Sequence, residues 1–144
     1  MRILASIIVV AACKKTDETP PPRPKGPPPL AEKAFYRLDV GPQTPCRQRQ
    51  PCEARVVLTA LGDYHVNDRY PNKFVFENTN AAAIMTAGDG SFELETAKAG
   101  TWTMMFRATK AGTYTFKGTF KLGVCTDQHC ETDAPEIAFE TTVL

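Results

Sequence analysis

Hydrophobic and polar positions divide this chain into three regimes. Residues 3–12 are predominantly apolar, residues 14–33 are polar and proline-rich, and from Phe35 onward short apolar and polar runs alternate between clusters of Gly, Asn, Asp and Pro. Alternation with a period of two is the mark of a half-buried strand, and no stretch keeps a helical period. The pattern predicts seven or eight strands, over residues 35–40, 52–61, 73–77, 82–86, 91–96, 101–109, 113–124 and 136–144. In the sixth run Trp102, Met104, Phe106 and Ala108 fall on one face, with Thr101, Thr103, Arg107 and Thr109 on the other. Such a strand lies between a core and solvent.

Two hexapeptides nearly repeat: Lys98-Ala99-Gly100-Thr101-Trp102-Thr103 and Lys110-Ala111-Gly112-Thr113-Tyr114-Thr115. Each is a glycine turn feeding a strand, and two copies are too few for a solenoid, so they predict successive corners of an antiparallel meander. Gly112-x-Tyr114-x-Phe116 also has the form of a tyrosine corner, in which a tyrosine early in a late strand bonds back to nearby backbone. A plain core tyrosine is the other reading. Both lead to an all-β, immunoglobulin-like antiparallel β-sandwich over residues 34–144, with Val56, Trp102, Phe106, Phe116 and Phe120 in its core.

The segment before that domain is of a different kind. The ten residues behind Arg2, apolar but for Ser6, span about 15 Å as a helix, half a hydrocarbon core, so residues 1–12 predict a signal segment rather than a membrane span. Ala11-Ala12-Cys13 resembles the lipobox of bacterial lipoproteins, which implies a lipid on Cys13. A stray thiol in a cleaved secretory peptide is the plainer reading. Residues 13–33 hold seven of the twelve prolines, including Pro20-Pro21-Pro22 and Pro27-Pro28-Pro29. They predict a disordered, polyproline-like linker that would hold a domain some tens of Å from a membrane, at about 3.1 Å per residue.

Length and charge narrow the functions. The 144 residues allow one domain beyond leader and linker. The formal charge of +1 falls to zero without residues 1–12, leaving no basic excess to neutralise nucleic-acid phosphates. Ala87-Gly88-Asp89-Gly90 reads as a hairpin turn, without the lysine and helix of a phosphate loop. Two histidines and scattered serines give no triad spacing.

The cysteines carry the candidate chemistry. Cys125 and Cys130 flank Thr126-Asp127-Gln128-His129, a tetrapeptide that would close a hairpin and bring the two sulfurs within disulfide reach. A ring this small constrains the unfolded chain by only about 2 kcal/mol, against roughly 4 to 5 for a bridge between distant strands. Parity along residues 114–124 puts Cys125 on the outward face with Lys121, where a partner could reach it, and His129 is an adjacent imidazole that would favour a thiolate. The plain alternative is a structural hairpin disulfide in an oxidising compartment. Cys46 and Cys52 enclose a polar loop and read as a structural clip. A metal on Cys125, His129 and Cys130 lacks a fourth ligand and the spacing of zinc sites, so neither metal nor organic cofactor is expected.

Residues 63–71, Asp-Tyr-His-Val-Asn-Asp-Arg-Tyr-Pro, together with Phe120-Lys121-Leu122-Gly123-Val124-Cys125 and Cys130, resemble the N-terminal periplasmic domain of the thiol:disulfide interchange protein DsbD and related lipoprotein domains. The likeness spans most of residues 55–144. It implies an immunoglobulin-like fold with Cys125 and Cys130 as the redox pair, Cys130 being the attacker of a downstream disulfide. It also implies a periplasmic or membrane thiol-disulfide protein as partner, with the domain held at the bacterial cell envelope through Cys13. The spacer between the cysteines is one residue shorter than in that family, and no Pro-Pro follows Cys130. Tyr64, His65, Tyr70 and His129 are candidates to wall the site or tune its thiols. For His65 and Asn67 a structural turn is the other reading. A function of another class also fits the residues: a non-catalytic lipoprotein whose bridges are staples and whose loops bind a protein partner.

Overall fold

The computed structural model describes residues 26–79, 84–86 and 90–144. The leader, Cys13, most of the linker and Ala87, Gly88 and Asp89 of the predicted turn lie outside the described residues. Within them the strands are β1 (Ala31–Lys33), β2 (Tyr36–Val40), β3 (Cys52–Ala60), β4 (His65–Val66), β5 (Lys73–Thr79), β6 (Ile84–Thr86), β7 (Ser91–Leu94), β8 (Ala99–Ala108), β9 (Gly112–Cys125), β10 (Cys130–Asp133) and β11 (Glu136–Val143). Among the described residues there is no helix.

All strand pairs are antiparallel and fall into two sheets. In the first the order is β1-β2-β3-β8, with β6 and β7 in line along the far edge of β8. The second is built on β9, which carries β4 and β5 on one edge and β10 and β11 on the other. The expected all-β architecture is therefore present. Strict alternation drives the packing: in β3 every second residue from Cys52 to Ala60 is buried. Val56, Trp102, Phe116 and Phe120 have no exposed surface and Phe106 has 1%. Each large apolar side chain so buried contributes about 1.5–3 kcal/mol. The sheets interlock face to face through Phe74 on Trp102, with ring centres 5.4 Å apart, and Phe106 on Phe116 at 5.1 Å.

Four sequence expectations change. The ordered sheet begins at Ala31, inside the stretch read as linker, because β1 adds to the edge of β2 and Leu30 donates its amide to the Leu38 carbonyl. The two-residue β4 and four-residue β10 carry too few positions to show a period. The segment read as a hairpin turn joins β6 to β7, which run the same way along one edge of β8. The repeated hexapeptides are not successive corners of one meander. The first opens β8 beside β7, whereas the second carries the chain from the first sheet to the second, since β8 and β9 do not pair. At that crossing the Tyr114 hydroxyl donates to the Lys110 carbonyl at 2.6 Å, the hydrogen bond of a tyrosine corner. Tyr114→Phe is expected to lower stability by about 1 kcal/mol, read as a reduced urea midpoint at unchanged slope.

Candidate functional site

At its C-terminal end β9 is paired on both sides: His65 lies opposite Cys125 on one edge and Cys130 lies opposite it on the other. Cys125 and Cys130 are bonded as a disulfide with Cα atoms 4.0 Å apart. The tetrapeptide between them closes as expected. The Thr126 amide donates to the His129 carbonyl at 2.8 Å, and the Thr126 hydroxyl accepts from the amides of Gln128 and His129.

Side chains of directly opposed residues share a face, and neighbours along a strand alternate. His65, Cys125 and Cys130 therefore form one row on the outer face of the second sheet. Tyr64, His129, Glu131 and Asp133 belong to the opposite face, which looks toward the first sheet. His129 is turned to Tyr64, whose hydroxyl is 3.0 Å from Nε2, and to the Thr126 hydroxyl, 3.2 Å from Nδ1. The histidine on the sulfurs' face is His65, separated from Cys125 by 60 residues of chain and brought there by the pairing of β4 with β9.

The accessibility of Cys125 differs from expectation. Cys125 has the outward parity predicted, yet only 7% of it is exposed, and Cys130 is the exposed partner. Residues 67–72 fold against this end of β9 at Gly123. Tyr70 lies so close over Gly123 that a Cβ there would stand 2.7 Å from the tyrosine ring. Asn72, itself buried, ties the same segment down. Its Oδ1 accepts from the Gly123 amide at 2.9 Å and its Nδ2 donates to the Asn67 carbonyl at 2.9 Å. Asn67 in turn donates its amide to the Gly123 carbonyl, and its side chain accepts from the Arg69 amide. The turn reading of Asn67 is thus the one present, while His65 sits in strand β4.

On the opposite face a cleft of about 640 Å³ runs between the hairpin and the neighbouring turns, lined by Gly62, Asp63, Lys98 and residues 126–129. The Lys98 ammonium donates to the Gly62 and Tyr64 carbonyls and fixes that wall. Beside the cleft, Tyr64 packs between His129 and Phe35, and Tyr36 and Lys33 converge on Asp133 of β10. The Tyr36 hydroxyl donates to Asp133 at 2.8 Å and the Lys33 ammonium lies 2.6 Å from the same oxygen. Burial, then the carboxylate of Asp133, raises the Tyr36 pKa. Partial burial pushes the Asp133 carboxyl up. The Lys33 ammonium, the Ala134 amide and the Tyr36 hydroxyl outweigh that and hold it below its ordinary value.

The second disulfide, Cys46–Cys52, is built differently. Its cysteines are 4% and 3% exposed, with Cα atoms 5.3 Å apart. The loop between them closes the sandwich at the opposite end. Gln48 donates its amide to the Leu144 carbonyl, Arg49 to that of Ala108 and Leu144 to that of Cys46. Along β9 the two disulfide ends are on the order of 40 Å apart. The sequence could not show the pairing of His65 opposite Cys125, since it depends on a segment sixty residues away. Among the described residues no group of three or more His, Cys, Asp and Glu side chains is placed to hold a metal. Compared with protein families, curated proteins and solved structures, the chain matches none.

Asn72→Ala leaves the Gly123 amide and the Asn67 carbonyl without partners and is expected to cost about 2 kcal/mol, with faster hydrogen exchange at Gly123 as its local signature. The lowered pKa of Asp133 contributes stability above the unfolded value, near 3.9, and that contribution is lost as pH falls through the folded value. Asp133→Asn should therefore flatten the loss of stability of the parent protein below about pH 4, followed by thermal unfolding across pH.

Proposed function

We propose that this chain is a lipid-anchored, immunoglobulin-like domain of the bacterial cell envelope that exchanges thiols and disulfides through Cys125 and Cys130. The observation that carries this reading is the asymmetry between the bridges. Of the four bonded cysteines, only Cys130 is exposed, on a hairpin whose small ring adds little to folding, whereas Cys46 and Cys52 are both buried. The lipobox-like Ala11-Ala12-Cys13 and the resemblance of residues 55–144 to the DsbD N-terminal domain support the location and the partner class, a periplasmic or membrane thiol-disulfide protein.

The chemistry follows from which sulfur can be reached. A thiolate of a partner dithiol attacks Cys130 Sγ, the Cys125–Cys130 bond breaks, and the electron pair leaves on Cys125 Sγ, which takes up a proton. The partner's second thiol, losing its proton, then attacks its own half of the mixed disulfide and releases Cys130 as the thiolate, which takes up the second proton. Two electrons and two protons pass to the domain, and the reverse sequence hands them to a downstream disulfide through attack by Cys130. Exchange of this kind needs neither metal nor organic cofactor. His65 shares the row of the two sulfurs, and its cationic form would stabilise a thiolate at Cys125.

A second reading is favoured by the burial of Cys125: both bridges are staples, and the loops bind a protein partner at the envelope. The reduction potential separates the two. In the full chain carrying Cys13→Ser, titrated against glutathione with thiols trapped and mapped, the exchange reading expects about −200 mV confined to Cys125 and Cys130. Resistance of both bridges below about −300 mV would leave the staple reading. Cys130→Ser should cost less than about 3 kcal/mol and abolish exchange, and unfolding on that change would likewise favour staples.

A further inference from the structure

Antiparallel neighbours alternate between pairs that exchange main-chain hydrogen bonds and pairs that do not. Three observations fix this alternation at the cysteine hairpin. Thr126 donates to the His129 carbonyl, so residues 126 and 129 form a bonded pair. The Gly123 carbonyl accepts from Asn67 and its amide donates to Asn72, so the main chain of Gly123 faces away from β10. The 4.0 Å separation of the Cα atoms of Cys125 and Cys130 is that of a non-bonded pair. The amides and carbonyls of Cys130 and Thr132 consequently point away from β9, along the outer edge of β10. Among the described residues no strand pairs with that edge, and both residues are exposed.

We propose that this edge receives the partner: an extended, cysteine-bearing segment of the partner protein adds antiparallel to β10, with its cysteine in register with Cys130. The inference rests on the exchange reading above. Its warrant is a match of lengths. A residue added opposite Cys130 would form a bonded pair, with Cα atoms about 5.5 Å apart and side chains on the same face. That is the middle of the range a disulfide spans, roughly 4.4–6.8 Å. Strand addition thus delivers the partner's sulfur to Cys130 Sγ without movement of either backbone, and two residues of edge, Cys130 and Thr132, supply the hydrogen bonds. The shortness of β10 fits a transient complex, because so few main-chain bonds hold a partner only while the mixed disulfide exists.

The test uses the full chain carrying Cys13→Ser and Cys125→Ser, in which the Cys130 thiolate is free. The probe is an unstructured peptide whose single cysteine is activated as a thionitrobenzoate disulfide. Attack by Cys130 forms the peptide–Cys130 disulfide and expels thionitrobenzoate, whose colour gives the rate. In antiparallel register, the residue two before the peptide's cysteine bonds to Thr132 and the residue one before points its amide to solvent. N-methylation two before should slow capture about tenfold, and N-methylation one before should leave it unchanged. On the protein side, Thr132→Pro removes an outward amide that the fold does not use, as edge strands tolerate, and should slow the peptide while sparing the small reagent dithionitrobenzoate. Because the methylated probes leave the protein untouched, the test stands even where a substitution disturbs folding. The same pattern is expected of the reduced protein with Cys125 in place. Equal rates for all peptides would overturn strand addition. So would a dimer that Thr132→Pro dissolves, which would assign the edge to a second copy. Failure of Cys130 to react even with dithionitrobenzoate would instead overturn the exchange reading itself.

Discussion

The organisation of this protein depends on β9 being paired along both edges from Phe116 to its end. A strand of fourteen residues, most of it paired on two sides, fixes which of its residues face the core, because a slip of one would turn Tyr114, Phe116, Phe120, Leu122 and Val124 outward together. It also demands close approach by its neighbours. Gly118 sits where a Cβ would lie 2.2 Å from the Val75 carbonyl oxygen, so the β5 backbone needs a residue without a side chain there. From that central strand the rest is positioned. β5 brings Phe74 against Trp102, and β11 returns Phe139 to stack on Phe116 with ring centres 5.4 Å apart. The last residue of β9 is Cys125, so the cysteine hairpin inherits the rigidity of the best-supported strand in the molecule.

The two disulfides sit at the two ends of this strand and answer different physical needs. Cys46–Cys52 closes a loop whose amides and carbonyls reach the ends of β8 and β11, one from each sheet. It therefore holds together elements that would otherwise meet only through side chains. Cys125–Cys130 joins residues that the hairpin already places opposite each other, so the bond adds little that the ladder does not supply. What distinguishes it is exposure on one side only. Cys130 is exposed, whereas Cys125 is buried where β9 is paired on both of its edges.

Residues 62–72 do for the site what β9 does for the fold. Val66 donates to the Ala97 carbonyl at the first sheet's turn, and Asn67 donates to Gly123 in the second sheet, so this segment bridges both layers. It supplies Tyr64 to one face of the hairpin and His65 to the other. Opposite, Lys33 and Tyr36 hold Asp133 from the first sheet, so β10 is tethered by side chains on its inner face, and among the described residues no strand pairs with its outer edge. A hairpin anchored this way combines a fixed backbone with an exposed Cys130.

Much of this was legible in the sequence for a definite reason. Period-two alternation is a local property, so the long strands from Cys52, Gly112 and Glu136, the inward set of Trp102, Phe106, Phe116 and Phe120, and the closing of Cys125 onto Cys130 across four residues could all be read from neighbours in the chain. The short strands β1, β4 and β10 could not, since two to four residues carry no period and form only because a longer strand offers an edge. Parity along β9 correctly turned Cys125 outward, but parity says nothing of what lies over a face. Only the tertiary structure decided that Cys125 is buried, that His65 stands opposite it on β4, and that Cys130 is exposed. Those outcomes arise from contacts between segments some sixty residues apart, whose pairing is set by packing the whole sandwich and not by any run within it.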